Sequence, residues 1–366
     1  MTETPLVSIC IPTFNRADLI WRTLESCINQ TYKNIEIIVS DNASTDNTKT
    51  VVLDYAHRDR RVKYFRNETN IGSGNNYLKS VEHASGYFAQ TLGSDDWLSR
   101  NYVEECVQNF LINPGAAAIL TNTITFELKK NNHLRFTDEN PLGPGKYSAD
   151  WFFKNFYNHP YLGGKGFLSL MRREDLVQSL KTEILRPTSL IDRGDFFEVI
   201  DGTIFFGVLI KYDYFIVAKD AAYITLLNKN DAVGLKGGFF KDFDGRLRYT
   251  LAIRRAFEAI YASFQKLIKY KRRMSFFMSL SFIANTFLDL LKTKAGPREW
   301  KRRYIKINAV FLEAYTGREK LTLAFLTLPY FLIRVPSRLK RLFLPKPTFV
   351  PKRNYFLAND FRFIAE

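Results

Sequence analysis

The chain has 366 residues, 46% of them hydrophobic and 25% charged, so it can bury a sizeable core as one large domain with an appended region. Its three cysteines, Cys10, Cys27 and Cys106, are odd in number and lack CxxC spacing, which excludes a disulfide framework and favours a reducing compartment. The N-terminal residues lack a basic start followed by a long apolar core, so we expect no secretion signal.

The net charge of +16 is concentrated in the last quarter of the chain. Between Gln265 and Arg353 there are 21 Lys and Arg against 4 Asp and Glu, whereas the other residues include 32 basic and 33 acidic side chains. A basic region of this kind predicts an anionic partner, which is either a membrane surface or a nucleic acid.

Strand and helix signals alternate along the first 125 residues. The predicted strands are LVSICIP, IEIIVSD, VKYFR, YFAQTL and AAAILT; the predicted helices lie in ADLIWRTLESCINQ, from about Asn47, in SGNNYLKSVEHA and in RNYVEECVQNFL. Strands separated by helices predict an α/β fold with a mostly parallel sheet and helices on both faces. Ligands bind such sheets beyond the carboxyl ends of the strands, where Asp41 and the pair Asp95–Asp96 lie.

The next hundred residues carry a mixed pattern. Residues 122–146 are typical of a β-meander, and FLSLM, after the YLGGKG turn, is predicted as a strand. An apolar helix is predicted from about Asp201 to Lys211. YFIVA and AAYITLL are predicted as two closing strands. Near Asn228–Gly238 the composition changes to aromatic-rich, basic helices. We therefore predict a first domain over residues 1–230 and a helical, basic region over 231–366.

The adjacent carboxylates of Asp95 and Asp96 have two interpretations. They could cap a helix beginning near Ser99, since carboxylates suit the positive end of the helix dipole. Alternatively, two carboxylates at the mouth of a parallel sheet provide ligands for a hard divalent cation, which often binds substrate phosphates as well.

Four motifs at strand ends favour the cation. CIPTFNR (10–16), VSDNASTD (39–46), NIGSGNN (70–76) and LGSDDW (92–97) occur in this order and together resemble the nucleotide-sugar-binding half of family 2 glycosyltransferases of the GT-A fold. The resemblance covers residues 5–125 and continues weakly to about residue 230. It implies a Rossmann-like GT-A domain, with nucleotide-sugar binding over 1–125 and the acceptor side over 126–230.

The resemblance also implies donor-binding residues. They are Pro12, Thr13, Asn15, Asp41, Asn76 and Asp95. Asp41 would accept the imide N–H of uracil or thymine, whereas cytosine has only an acceptor at that ring position, so the expected donor is a UDP- or dTDP-sugar. Two alternatives remain open at this point: Asp41 could form an Asx turn with Asn42 and Ser44, and Asn76 could be a helix cap.

The DXD-type motif of the family implies a metal at the aspartate pair. By this resemblance Asp96 holds the metal, and Asp95 contacts the ribose or the water shell of the metal. The cofactor is Mn²⁺ or Mg²⁺, which would neutralise charge on the departing nucleotide.

An inverting transfer also needs a carboxylate that takes the proton of the acceptor hydroxyl. Family members usually supply it from an ED-like pair, but this chain reads FFEVIDGTIFF. Asp201 is our first candidate and Glu198 the reserve; Asp201 could instead be an N-cap, and Asp192 and Asp195 stay open.

The basic C-terminal region contains two apolar segments, 274–291 and 321–333, which fall short of about 20 predominantly apolar residues, the length a spanning helix needs. Both are flanked by basic clusters, which favours a peripheral position on the cytoplasmic face of the cell membrane. Such docking would suit a lipid-linked glycan as acceptor, and with the resemblance to family 2 glycosyltransferases it implies a part in surface polysaccharide or O-antigen-type assembly. Packing of these helices on the catalytic domain or on a second subunit is an alternative. A nucleic-acid-binding protein is another, but the basic clusters alternate with long apolar runs rather than with isolated stacking aromatics, so no nucleic-acid partner is expected.

Overall fold

The computed structural model describes residues 4–128, 134–138, 142–155, 166–184 and 204–227, together with residues 298, 302 and 303. The chain divides into two compact units, and the described residues up to Leu227 all belong to the first of them. Glu198, Asp201 and both apolar segments of the C-terminal region lie outside the described residues.

Ten strands and six helices form the described part of the first unit. The strands are β1 Val7–Thr13, β2 Ile35–Asp41, β3 Val62–Arg66, β4 Phe88–Thr91, β5 Asp96–Leu98, β6 Ala116–Leu128, β7 Leu134–Asp138, β8 Gly145–Ser148, β9 Leu170–Arg172 and β10 Tyr214–Leu227. The helices are α1 Ile20–Ile28, α2 Thr48–Arg58, α3 Ser73–Glu82, α4 Tyr102–Ile112, α5 Ala149–Asn155 and α6 Arg173–Ile184, and residues 204–209 form a further helical segment.

All ten strands belong to one mixed sheet. Along its main path the order is β3-β2-β1-β4-β9-β6-β10-β5, with β7 pairing with β6 and β8 with β10. The first four strands run parallel, as predicted, but β9 is antiparallel to both β4 and β6, and β5 and β8 are antiparallel to β10. The predicted mostly parallel sheet is therefore mixed in its second half: β6 and β10 run parallel to each other, whereas the short strands β5, β8 and β9 pair antiparallel with their neighbours without a crossover helix.

The parallel half is buried on both faces. Every residue of β1 and β2 is buried, which matches their nearly continuous β-branched sequences. In α1 the apolar residues Ile20, Leu24 and Cys27 recur at helical spacing, and all three are fully buried against the sheet. Burial of this apolar surface stabilises the edge of the sheet on which the site is built.

The last described strand is longer than expected. YFIVA and AAYITLL were predicted as two strands, but β10 is one strand with an irregularity between Val217 and Ala222. Its first residues pair with β8 and its later ones with β5, and it pairs with β6 on both sides of the irregularity. The shift in register between Val217 and Ala222 therefore lies between the part of β10 that pairs with β8 and the part that pairs with β5.

A buried carboxylate lies near the amino-terminal ends of the parallel strands, at the opposite end from Asp41. Glu36 of β2 accepts hydrogen bonds from Lys63 Nζ (2.6 Å), Ser8 Oγ (2.6 Å) and the Ser85 N–H (2.6 Å). Burial alone would raise the pKa of Glu36, but these hydrogen bonds outweigh it and lower the pKa to about 2. This ionised group ties together β1, β2, β3 and the turn before β4, far along the strands from the motifs at their carboxyl ends.

The helices of this fold are short. Among the residues that the structure describes, no helix has the length and hydropathy needed to cross a bilayer.

The three cysteines, all within the described residues, are buried and free.

Candidate donor and metal site

The parallel register aligns three polar residues across the carboxyl edge of the sheet. Thr13 at the end of β1 lies opposite Asp41 at the end of β2, and Asp41 lies opposite Arg66 at the end of β3. Thr13 is only 2% exposed, and its hydroxyl has no hydrogen-bond partner within the described chain. A buried hydroxyl without a partner is costly, so this edge is suited to a polar ligand that would supply one.

Asp41 is fully buried, and both of its oxygens accept hydrogen bonds. Oδ1 accepts the Ser44 N–H at 2.9 Å, so Asp41 does bond locally to Ser44, but three residues on rather than the two residues on that define an Asx turn. Oδ2 accepts the Tyr64 hydroxyl at 2.5 Å and the Arg66 guanidinium at 3.0 Å. Burial and the bond to Asp41 raise the pKa of Tyr64 to about 12. A carboxylate has about four acceptor positions, and three of those of Asp41 are taken, so the contact with a base stays a prediction.

The loops after β1 and β2 are joined by Asn15. Its N–H donates to Ser44 Oγ at 2.9 Å, and its Oδ1 accepts the Thr45 N–H at 2.8 Å. Asn15 has φ 52° and Ala43 has φ 65°, a region that non-glycine residues rarely adopt. The loop geometry is therefore fixed by side chain to backbone bonds, and a contact of Asn15 with a donor remains a prediction.

Asn76 is a buried anchor for α3. Its Nδ2 donates to the Ser40 carbonyl at 2.9 Å, and its Oδ1 accepts from Ser40 Oγ at 2.8 Å and Asn67 Nδ2 at 3.0 Å. The residue that precedes α3 is Gly72, with φ 82°, so Asn76 is not its cap. These bonds give Asn76 a structural part at the edge of the site, and its contact with a donor remains a prediction.

The aspartate pair does not cap a helix. Asp96 begins β5, and α4 begins only at Tyr102, after Asn101. The capping interpretation is therefore wrong, because a strand lies between the pair and the helix.

Asp96 is held by a tyrosine from the last strand. The Tyr223 hydroxyl donates to Asp96 Oδ2 at 2.7 Å and accepts the Gly93 N–H at 3.1 Å. Tyr223 is 1% exposed. Burial, then the charge of Asp96 and the neighbouring Tyr77, raise the pKa of Tyr223 well above its usual range, so the hydroxyl stays protonated. No motif in the sequence marks Tyr223, Tyr64 or Arg66, since each contacts its aspartate from another strand.

Both carboxylates of the pair lie over Gly93. A Cβ at Gly93 would lie 2.7 Å from Asp96 Oδ2 and 3.1 Å from Asp95 Oδ1. Within the described ranges, no group of three or more His, Cys, Asp or Glu side chains is arranged to hold a metal alone. Two carboxylates fit a Mg²⁺ or Mn²⁺ ion that takes its remaining ligands from water and substrate phosphates. The residues present therefore fit the implied metal.

A family model decides the class of this domain. The model described as glycosyl transferase family 2 matches residues 8–175, a segment that contains all four motifs and the aspartate pair. Residues 8–175 form a family 2 glycosyltransferase domain. The resemblance noted from the motifs is thereby confirmed.

Curated relatives of the family 2 domain are glycosyltransferases. The chain is 37% identical over 121 residues to the GalNAc(5)-diNAcBac-PP-undecaprenol beta-1,3-glucosyltransferase of Campylobacter jejuni, covering 33% of this chain and 38% of that protein. It is 40% identical over 99 residues to the abequosyltransferase RfbV of Salmonella typhimurium, covering 26% of this chain and 30% of that protein. The match thus spans less than half the length of these relatives, and it supports a glycosyltransferase enzyme.

A solved structure shares the fold. The crystal structure of S. aureus TarS 1-349 aligns with a TM-score of 0.56 at 16% identity, covering 86% of this chain and 82% of that one. The α/β architecture with a mixed sheet is therefore that of GT-A glycosyltransferase structures.

The position of Gly93 generates a prediction about the aspartate pair. A Gly93→Ala variant should bind UDP in the presence of Mn²⁺ at least about tenfold more weakly, because a Cβ 2.7 Å from Asp96 Oδ2 forces the Asp96 carboxylate to move. Calorimetric titration of UDP measures this change. Gly143→Ala is the matched control, since its nearest neighbour, Tyr147 Oη, would be 4.0 Å away. Equal UDP affinity of the two variants would show that UDP binding does not depend on the position of the aspartate carboxylates next to Gly93.

Proposed function

We propose that this protein is a metal-dependent inverting glycosyltransferase of hexosyltransferase type, which transfers a sugar from a UDP- or dTDP-sugar to a lipid-linked glycan. One observation carries the proposal: Asp95 and Asp96 lie together over Gly93 at the ligand edge of a family 2 domain. The names of the relatives, one of which specifies an undecaprenol-PP-linked glycan, support the acceptor class. TarS, which shares the fold, was solved in complex with UDP-GlcNAc, which supports the donor class.

The donor half of the site is suited to a pyrimidine nucleotide. Asp41 offers acceptor oxygens to an imide N–H, and Thr13 offers its backbone and its hydroxyl beside it. Phe14, which follows Thr13, is 41% exposed and offers an aromatic face next to this row. A base stacked on Phe14 and hydrogen-bonded to Asp41 would extend its diphosphate along the edge toward the aspartate pair.

The aspartate pair holds the charged part of the donor. Asp96 would ligate the Mn²⁺ or Mg²⁺ ion directly, and Asp95 would contact the ribose or a water of the metal. When bound, the ion neutralises charge on the nucleoside diphosphate and makes it a better leaving group. The chain's own contribution is to keep the two carboxylates in place without reorganisation during the reaction.

The acceptor hydroxyl loses a proton as it attacks the anomeric carbon on the face opposite the departing diphosphate, which inverts the configuration. Asp201 is proposed as the base, with Glu198 as the alternative. The described helical segment 204–209 begins three residues after Asp201, and Ile204, Phe205 and Phe206 in it are fully buried.

The basic C-terminal region is proposed to bring the enzyme to its acceptor. A peripheral position on the cytoplasmic face of an anionic membrane would place the active site close to a lipid-linked glycan, in surface polysaccharide or O-antigen-type assembly. The charge of residues 265–353 in this region, with 21 basic against 4 acidic side chains, is the supporting observation.

Removing one charge from the pair tests metal dependence. Asp96→Asn should lower transfer by at least about a hundredfold while the protein stays folded, because the amide keeps the volume but not the negative charge. The measurement is the rate of donor turnover with Mn²⁺, with circular dichroism as the folding check. Asp54→Asn on α2, whose side chain is 63% exposed, is the control for the same chemical change and should be unaffected. Transfer that survives Asp96→Asn or EDTA would refute metal dependence.

The base is tested by separating turnover from donor binding. Asp201→Asn should lower kcat by about 10² or more with little change in the affinity for UDP, because a base acts on the acceptor proton. Glu198→Gln is the comparison, and a larger fall in kcat for that variant would identify Glu198 as the base.

Membrane docking is tested by sedimentation of the full chain with lipid vesicles. The protein should sediment with anionic vesicles at low salt and be released as salt is raised, because the attraction of a basic surface is screened within about 10 Å at 0.1 M salt. Neutral vesicles are the control. A chain that stays in the supernatant with anionic vesicles but binds RNA in a salt-dependent way would instead favour the nucleic-acid interpretation.

A further inference from the structure

The register of two strands brings Tyr223 to the aspartate pair. In the antiparallel pairing of β5 with β10, Asp96 lies opposite Thr225, so Tyr223 is its diagonal neighbour two residues away on the same face. Diagonal neighbours lie about 7–8 Å apart, which is within reach of an aromatic side chain. The phenol of Tyr223 spans this distance and contacts the carboxylate end of Asp96 with its hydroxyl.

The same hydroxyl also fixes the turn before Asp96. It accepts the N–H of Gly93 at 3.1 Å while donating to Asp96 Oδ2 at 2.7 Å, and the Asp96 N–H donates to the Gly93 carbonyl at 3.1 Å. One side chain thus sets the turn and the orientation of the carboxylate that the turn carries.

Tyr223 is itself held by the core. It is 1% exposed and belongs to the buried cluster that includes Tyr102, Val103 and Leu98. A ring packed in this way cannot follow a moving carboxylate, so the hydroxyl presents a fixed hydrogen-bond donor.

We infer that Tyr223 is a positioning residue for the metal: it orients the Asp96 carboxylate for a divalent cation. The inference rests on the proposed function, since it requires a cation at Asp96. Carboxylates that ligate metals are usually hydrogen-bonded themselves, and loss of such an outer partner typically costs 10–100-fold in metal affinity or activity. The alternative is that Tyr223 only satisfies its own buried hydroxyl, in which case its loss changes stability but not metal binding.

The test measures Mn²⁺ binding to the full chain in the presence of UDP, from the decrease in the electron paramagnetic resonance signal of free Mn²⁺. Tyr223→Phe removes only the hydroxyl and should weaken Mn²⁺ binding tenfold or more. Tyr102→Phe is the matched control, because Tyr102 is also fully buried and donates to Gln90 Oε1 at 2.7 Å, away from the aspartates. Thermal unfolding should show a comparable loss of stability in both variants, since each removes a buried hydroxyl that takes part in two hydrogen bonds.

Two further readouts separate positioning from folding. Raising the Mn²⁺ concentration should restore donor turnover in Tyr223→Phe but not in Asp96→Asn, since only the latter lacks the ligand. Tyr223→Leu removes the hydroxyl with a different side chain and should give the same loss of Mn²⁺ affinity, so the result does not depend on one variant folding.

The outcomes distinguish the inference from the proposed function. Wild-type affinity for Mn²⁺ in Tyr223→Phe, or an equal loss in Tyr102→Phe, would overturn the positioning role and leave the metal site intact. A wild-type chain that binds no Mn²⁺ with UDP would overturn the proposed metal site, and the positioning role with it.

Discussion

The pairing of β5 with β10 is the constraint on which the metal half of the site depends. It joins the three-residue strand that begins at Asp96 to the last described strand, and the hydrogen bond between Tyr223 and Asp96, 127 residues apart in the chain, forms across that pairing. Because β10 also pairs with β6 through the middle of the sheet, the carboxylate is anchored to the core rather than to a loop. A site built on strands is held more closely than one built on loops, as a reaction with developing charge requires.

The donor half is organised by a different device. There the parallel register of β1, β2 and β3 sets the row Thr13, Asp41 and Arg66, and short polar side chains close the loops beyond it. The bonds of Asn15 and Asn76 leave little freedom in these loops, so a nucleotide would meet a largely formed surface and pay little ordering entropy. The metal half lacks a complete ligand set among the described residues, so the cation and the donor diphosphate would complete each other's coordination.

The sequence predicted the local elements of this fold well and the distant contacts poorly. The first four strands and α1 to α4 follow from hydrophobic periodicity, which is visible within a few residues. The place of Asp41 at the ligand edge was also predictable, because ligands bind such sheets beyond the carboxyl ends of parallel strands and Asp41 ends a predicted strand. By contrast, the short antiparallel strands of the second half and the single strand β10 depend on which strands pair and in which register, and periodicity carries no such information. Tyr64, Arg66 and Tyr223 were missed for the same reason: each reaches an aspartate on another strand, and only the register shows this. The base candidates Asp201 and Glu198 lie outside the described residues and stay predictions.

A screen of nucleotide sugars tests the proposed function most directly. Water can take the place of the acceptor hydroxyl, so a donor bound in the site should be hydrolysed slowly when no acceptor is present. With the purified chain and Mn²⁺, a UDP- or dTDP-sugar should be hydrolysed, and removal of the metal with EDTA should stop the reaction. Hydrolysis of CDP-sugars alone would contradict the role given to Asp41, and hydrolysis that continues undiminished in EDTA would contradict the role given to the aspartate pair.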